Sequence, residues 1–127
     1  MLKQLVLVAL GGALGSILRY LTSWWIGKQF SYVFPLATFI VNTLGCFIIG
    51  FLIGLSIYYR IFDNGLKYLL IIGFCGGYTT FSTFSAESFK LFETGNYWTL
   101  ALYVAGSVLL GILAVWAGVI FSKIVTQ

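Results

Sequence analysis

Gly73-Phe74-Cys75-Gly76-Gly77-Tyr78-Thr79-Thr80-Phe81-Ser82-Thr83-Phe84-Ser85 is the stretch on which the fold turns. It lies inside an apolar segment of about 66–92, long enough to cross a bilayer. Paired glycines weaken a helix by about 1 kcal/mol each relative to alanine, and a hydroxyl-rich aromatic run follows at once. In water such a stretch makes an ordinary loop. Within a membrane it cannot, because lipid offers no partner to unpaired backbone N–H and C=O groups. Irregular backbone at that depth is buried in protein or lines a polar cavity. The stretch therefore reads as a helix broken at a site, with the rest of the chain as its housing.

The 127 residues are 61% hydrophobic and only 8% charged, with a mean hydropathy of +1.04. Soluble domains carry roughly 25% charged residues, so this is the composition of an integral membrane protein. Four apolar segments, at about 5–25, 34–59, 66–92 and 98–122, each near the ~20 residues that span a bilayer, use most of the length. The expectation is one domain over 1–127, all-α, with four transmembrane helices and no room for a soluble catalytic domain. Lys3 and the apolar run after it resemble a signal peptide. No small-residue cleavage site precedes the first turn motif, however, and the run continues past Gly15, so it is kept as a span.

The net charge of +4 comes from single residues, Lys3, Arg19, Lys28, Arg60, Lys67, Lys90 and Lys123, offset by Asp63, Glu87 and Glu93. No basic cluster marks a nucleic-acid partner or a headgroup site. Cys46 and Cys75 fall in different spans without a Cys-x-x-Cys, and the chain has no histidine, so neither a disulfide framework nor a zinc site is expected.

In the first span Gly11, Gly12, Gly15 and Ser16 form a small face for close helix approach. Arg19 precedes the Trp24-Trp25 pair, which has the look of an interfacial belt. Arg19 either snorkels to the headgroups or is a buried cation beside an anion path or backbone carbonyls. Pro35 suits the start of the second span. Thr38 and Asn42 share a face there, and Gly50 and Gly54 mark a neighbouring packing face. An amide near mid-span must find partners, either in an interhelical bond or as a pore-lining donor. In the third span Thr79, Ser82, Thr83 and Ala86 fall on one stripe, with Phe81 and Phe84 on another. Glu87 reads as a helix-end charge, with a vestibule position as the alternative. Arg60, Asp63, Asn64, Gly65 and Lys67 make the second loop, and Glu93, Gly95 and Asn96 the third. In the fourth span Tyr103 and Ser107 stand four apart, and Ser107, Gly111, Ala114 and Gly118 make a small stripe.

Four spans put both termini on one side, where Lys3, Arg60, Lys67 and Lys123 then gather, against Lys28 and Lys90 opposite, with Arg19 near that side. So weak a bias permits insertion both ways and hence an antiparallel dimer, on whose axis Gly76-Gly77 meets its own copy. No catalytic set is present: no His, no carboxylate pair, no phosphate-cradling loop. The polar groups within the spans are almost all neutral donors that can replace water around a small anion, and phenyl edges are electropositive. Carbonyls freed around Gly76 to Thr79 suit a hard cation.

Gly76 to Ser85 closely resembles the signature of the Fluc (CrcB) fluoride channels. Gly11-Gly12-Ala13-Leu14-Gly15-Ser16-Ile17-Leu18-Arg19-Tyr20 is similar to that family's first-span motif, and Thr38-Phe39-Ile40-Val41-Asn42-Thr43-Leu44-Gly45 to its second. The resemblance implies an antiparallel, dual-topology homodimer in the bacterial inner membrane, with a third helix broken at mid-membrane and two fluoride pores. It implies a pore lined by Phe81, Phe84, Asn42, Ser82, Thr83 and Tyr103, a structural sodium ion on the backbone carbonyls of Gly76 and Thr79, and Arg19 as the family's first-span arginine. Tyr78 departs from the pattern, where a smaller aliphatic residue is expected. Two other classes compete. A small proton-coupled exporter calls for a deep carboxylate and a first-span glutamate; a non-conducting assembly subunit calls for packed aromatics and no pore.

Overall fold

The computed structural model describes residues 1–59 and 64–125, so the expected loop residues Arg60 and Asp63 lie outside the described residues. The elements in chain order are α1 (Leu2–Gln29), α2 (Leu36–Tyr59), α3 (Asn64–Leu66), the π-helical stretch π1 (Lys67–Cys75), α4 (Gly76–Tyr78), α5 (Phe81–Glu93) and α6 (Tyr97–Val125). Four stretches, Leu2–Gln29, Leu36–Ile57, Lys67–Glu93 and Tyr97–Val125, are long and apolar enough to cross a membrane. The chain is a multi-pass, all-helical protein, as its composition requires.

Each helix stops for a local reason. Phe30 leaves α1 in extended backbone (φ −131°, ψ 121°). Pro35 stands one residue ahead of α2, and its carbonyl accepts from Phe39 N–H at 3.1 Å. Gly95, at φ 72°, takes the left-handed turn that ends α5. Its neighbour Asn96 then donates to the Leu91 carbonyl at 2.9 Å. Asn64, Gly65 and Lys67, expected in a loop, are already helical.

Bare backbone brings the helices together. Lipid supplies no hydrophobic drive for association, so close contact does the work. Gly50 and Gly54 on α2 face Val115 and Ser122 on α6, and Gly118 faces the Phe47 and Phe51 backbone in return. Gly11 and Gly15 on α1 rest on the carbonyls of Leu69 and Phe74, and Gly77 lies on Gly12. The result is two tight pairs, α1 with π1 and α4, and α2 with α6, with α5 lying over the second. Val41, Tyr103 and Ser122 are completely buried between the helices.

Gly76 and Gly77 do not interrupt the third stretch. Gly76 keeps right-handed helical backbone (φ −63°, ψ −35°). The extended residues are Thr79 (φ −82°, ψ 160°) and Thr80 (φ −150°, ψ 117°). Gly77 serves packing instead, lying on Gly12 of α1, while a Cβ at Gly76 would meet nothing within 4 Å.

Candidate functional site

Asn42 shapes the backbone at the centre of the site. Its Oδ1 accepts from the Thr80 N–H at 2.8 Å, and its Nδ2 donates to the Thr80 carbonyl at 3.0 Å. One side-chain amide thus satisfies both backbone groups of a residue that leaves the helix. In an uninterrupted α-helix the Thr80 N–H would bond the Gly76 carbonyl, and Thr83 N–H the Thr79 carbonyl. Here Thr83 N–H bonds the Thr80 hydroxyl at 3.2 Å, so Thr80 is the N-cap from which α5 restarts.

Polar residues of α1 reach the carbonyls released in this way. Ser16 Oγ donates to the Gly77 carbonyl at 3.5 Å, and Arg19 Nη1 to the Thr79 carbonyl at 3.3 Å. Of the readings open for Arg19, the side chain takes the one facing a carbonyl. The Thr79 hydroxyl turns back to the Cys75 carbonyl at 3.0 Å. Because Thr79 is extended, it leaves the α5 stripe expected to join it with Ser82 and Thr83.

A cavity of about 560 Å³ opens beside these residues, lined by Asn42, Gly45, Cys46, Ile49, Ile71, Ile72, Cys75, Gly76, Thr79, Thr80, Phe81, Phe84, Ser107 and Val108. It gathers Asn42, Phe81, Phe84, Gly76 and Thr79 from the set expected by sequence. Ser82, Thr83, Tyr103 and Arg19 stand outside its lining. The Phe81 ring is 79% exposed and lies 5.8 Å from Phe84, tilted by 37°. Phe84 in turn rests on Tyr103, with centroids 5.0 Å apart. Thr83 accepts from the Thr80 hydroxyl at 3.0 Å, and Ser82 Oγ lies 3.4 Å from that hydroxyl.

Glu87 corrects the expectation of a helix-end charge. It sits within α5 and its carboxylate serves two hydroxyls. Oε1 accepts from Thr38 at 2.9 Å and Oε2 from Tyr103 at 2.7 Å. Thr38 is 5% exposed and Tyr103 is fully buried, so the half-buried Glu87 ties α2, α5 and α6 together. Tyr103, expected on the pore track, spends its hydroxyl on Glu87.

Two polar residues of the spans, Thr80 and Ser107, are not among the expected site residues. Thr80 is the cap and the clamped residue, yet its neighbours in the hydroxyl-rich run gave it no distinguishing mark. Ser107 lines the cavity with a buried Oγ that has no hydrogen-bond partner. By sequence it belongs to a small packing stripe with Gly111, Ala114 and Gly118, which gives no sign of an unpartnered hydroxyl. Among the described residues no group of three His, Cys, Asp or Glu side chains comes together to hold a metal.

The sequence model of the family described as CrcB-like protein, Camphor Resistance (CrcB), matches residues 6–119. A protein of Azobacteroides pseudotrichonymphae named fluoride-specific ion channel FluC is 47% identical over 123 residues, 97% of this chain and 98% of the relative. Proteins of the same name in Flavobacterium psychrophilum and Phocaeicola vulgatus are 44% and 47% identical over 122 residues, covering 98% and 100% of those relatives. These relatives are named as channels, not as enzymes. With a matching family model over nearly its whole length and bacterial relatives of the same extent, this multi-pass membrane protein belongs to the CrcB-like family.

Proposed function

We propose that the chain is a fluoride-selective passive channel that exports the ion from the cytoplasm. The observation that carries this reading is the convergence of Asn42, Phe81, Phe84 and the unpartnered Ser107 hydroxyl on one cavity. An amide nitrogen has two hydrogens; Thr80 takes one, which leaves the other as a donor beside the ring edges. A small halide loses its water only where such donors replace it, and the electropositive edges of Phe81 and Phe84 add to them. Ser82 and Thr83 extend the donors along α5. Hydrogen fluoride enters cells neutral and ionises inside, so a passive pore under an inside-negative potential expels the anion, at about 2.3 kcal/mol per charge per 100 mV.

In this reading Thr79 and Thr80 lie at mid-membrane, and the open face bearing Phe81 is closed by a second copy inserted the other way up. The antiparallel pair has two pores. A sodium ion at its centre needs oxygens, and the bare Gly76, with nothing within 4 Å of a Cβ built there, presents an open approach. One chain offers too few ligands, so the carbonyls of Gly76 and Thr79 from both copies would hold it, and the ion would fix the pair electrostatically. The Thr79 carbonyl has two lone pairs; Arg19 takes one, which leaves the other for the cation.

Fluoride efflux from proteoliposomes, followed with an electrode and with no pH gradient, tests the proposal. Passive efflux that stops when only chloride is supplied is the expected result. The proton-coupled exporter calls for a first-span glutamate, which this chain lacks. That reading predicts no efflux until a pH gradient is imposed. Absence of efflux under both conditions leaves the assembly subunit.

A further inference from the structure

The geometry points to Tyr78, packed between Phe74 and Gly45 with its hydroxyl beside Thr22 of α1, as a positioning residue that sets the direction of the Thr79 carbonyl at the cavity. This inference rests on the channel reading for its effect on flux, but not for its structural content. Tyr78 ends α4 directly before the extended pair. It is only 6% exposed, which is unusual for a phenol in a helix turn so close to an open face. Its ring stacks on Phe74, with centroids 5.9 Å apart and planes within 6°. On the other side it meets α2 at Gly45, where a Cβ would come within 3.3 Å of Tyr78 Cδ1. The phenol oxygen lies 3.5 Å from Thr22 Oγ1.

The donor in that last pair can be assigned. The single Thr22 hydroxyl hydrogen goes to the Leu18 carbonyl at 2.8 Å, so the Tyr78 O–H is the donor and Thr22 Oγ1 the acceptor. Ser16, Arg19 and Thr22 are spaced three apart on α1, and they meet Gly77, Thr79 and Tyr78 in turn. Two of those contacts hold carbonyls released by the extended backbone. The third, through the Tyr78 ring, fixes the side chain of the residue that precedes it. Tyr78 therefore bridges α1 and α2 at the last helical residue, and the Thr79 carbonyl is left facing Arg19. A smaller aliphatic residue could fill part of the space but could not reach Thr22.

The test uses full-length protein with Tyr78→Phe, Thr22→Val, Thr22→Ser and the double variant Tyr78→Phe/Thr22→Val. Two readouts are taken: passive fluoride efflux with its ratio to chloride, and hydrogen exchange at the Thr79 and Thr80 amides. Tyr78→Phe keeps the stack on Phe74 and Thr22→Val keeps the volume, so both fold. Each is expected to lower fluoride efflux roughly threefold, the weight of one long neutral hydrogen bond. Each also narrows the fluoride-to-chloride ratio and speeds exchange at Thr79 and Thr80. The double variant falls no further than either single one, and Thr22→Ser retains wild-type behaviour. Additive losses, or exchange unchanged in both single variants, overturn the inference. Wild-type protein without fluoride efflux overturns the channel reading instead, and the exchange arm still decides the role of Tyr78.

Discussion

Replacing Asn42 with aspartate keeps the shape of the side chain and removes the Nδ2–H that reaches the Thr80 carbonyl. Two oxygens then face each other, where a buried group left without its partner costs about 1–3 kcal/mol. We expect Asn42→Asp to lower the unfolding midpoint in detergent and to cut fluoride efflux by about tenfold or more, since the clamp and the donor are lost together. Asn42→Ala with full efflux would remove the amide from the pathway. Phe81→Ile and Phe84→Ile remove ring edges while keeping apolar volume. Each should depress efflux and leave the elution position in size-exclusion chromatography unchanged; unchanged efflux in both disposes of the ring-edge mechanism. Tyr103→Phe leaves Glu87 Oε2 without its donor in a site where Tyr103 is fully buried. The expected cost is again about 1–3 kcal/mol, read as a lower midpoint of thermal unfolding.

At the scale of elements, glycine spacing carries the packing. An exposed Gly→Ala change in a helix normally stabilises by about 1 kcal/mol. At Gly15 the added Cβ meets the Phe74 carbonyl and the Tyr78 N–H, both backbone groups that cannot turn aside. At Gly12 the nearest atom to such a Cβ is the Gly73 carbonyl oxygen, 3.8 Å away, an ordinary contact. Gly15→Ala should therefore lower the unfolding midpoint and the yield of assembled protein, while Gly12→Ala leaves both near wild type. Equal behaviour of the two variants would show that α1 does not seat on π1 and α4 as described. Here the sequence was informative: the small stripes on α1, α2 and α6 were legible because close approach demands a missing side chain. The π-helical register of Lys67–Cys75 was not, since no periodicity of apolar residues distinguishes it from an α-helix over nine residues.

At the scale of the whole molecule the deciding surface is the exposed face that bears Phe81. Phe81 is 79% exposed, on the rim of an apolar cavity, and a second copy in the opposite orientation is the occupant we propose. In the four-span reading four basic residues fall on one side and two, with Arg19 near them, on the other, so the arrangement we propose rests on a weak insertion bias. Adding two arginines at either end should force one orientation. Protein forced one way is expected to show no fluoride efflux alone, and efflux should return when oppositely forced chains are expressed together. Full activity of either forced form by itself would sink the antiparallel arrangement.

By itself the sequence determined the medium, the number of crossings and the small-residue faces, because hydropathy and bulk act through local composition. It also singled out Asn42, since an amide inside a span must find partners. Where the third stretch leaves helical geometry was decided elsewhere. Helix propensity pointed to Gly76-Gly77, but the extended pair is Thr79 and Thr80, fixed by Asn42 from 38 residues away. Likewise Glu87 read as a charge near a helix end until Thr38 and Tyr103, on two other helices, closed on its carboxylate. Inside a membrane each freed backbone or charged group must be met by a partner from another helix, and only the tertiary packing says which partner arrives.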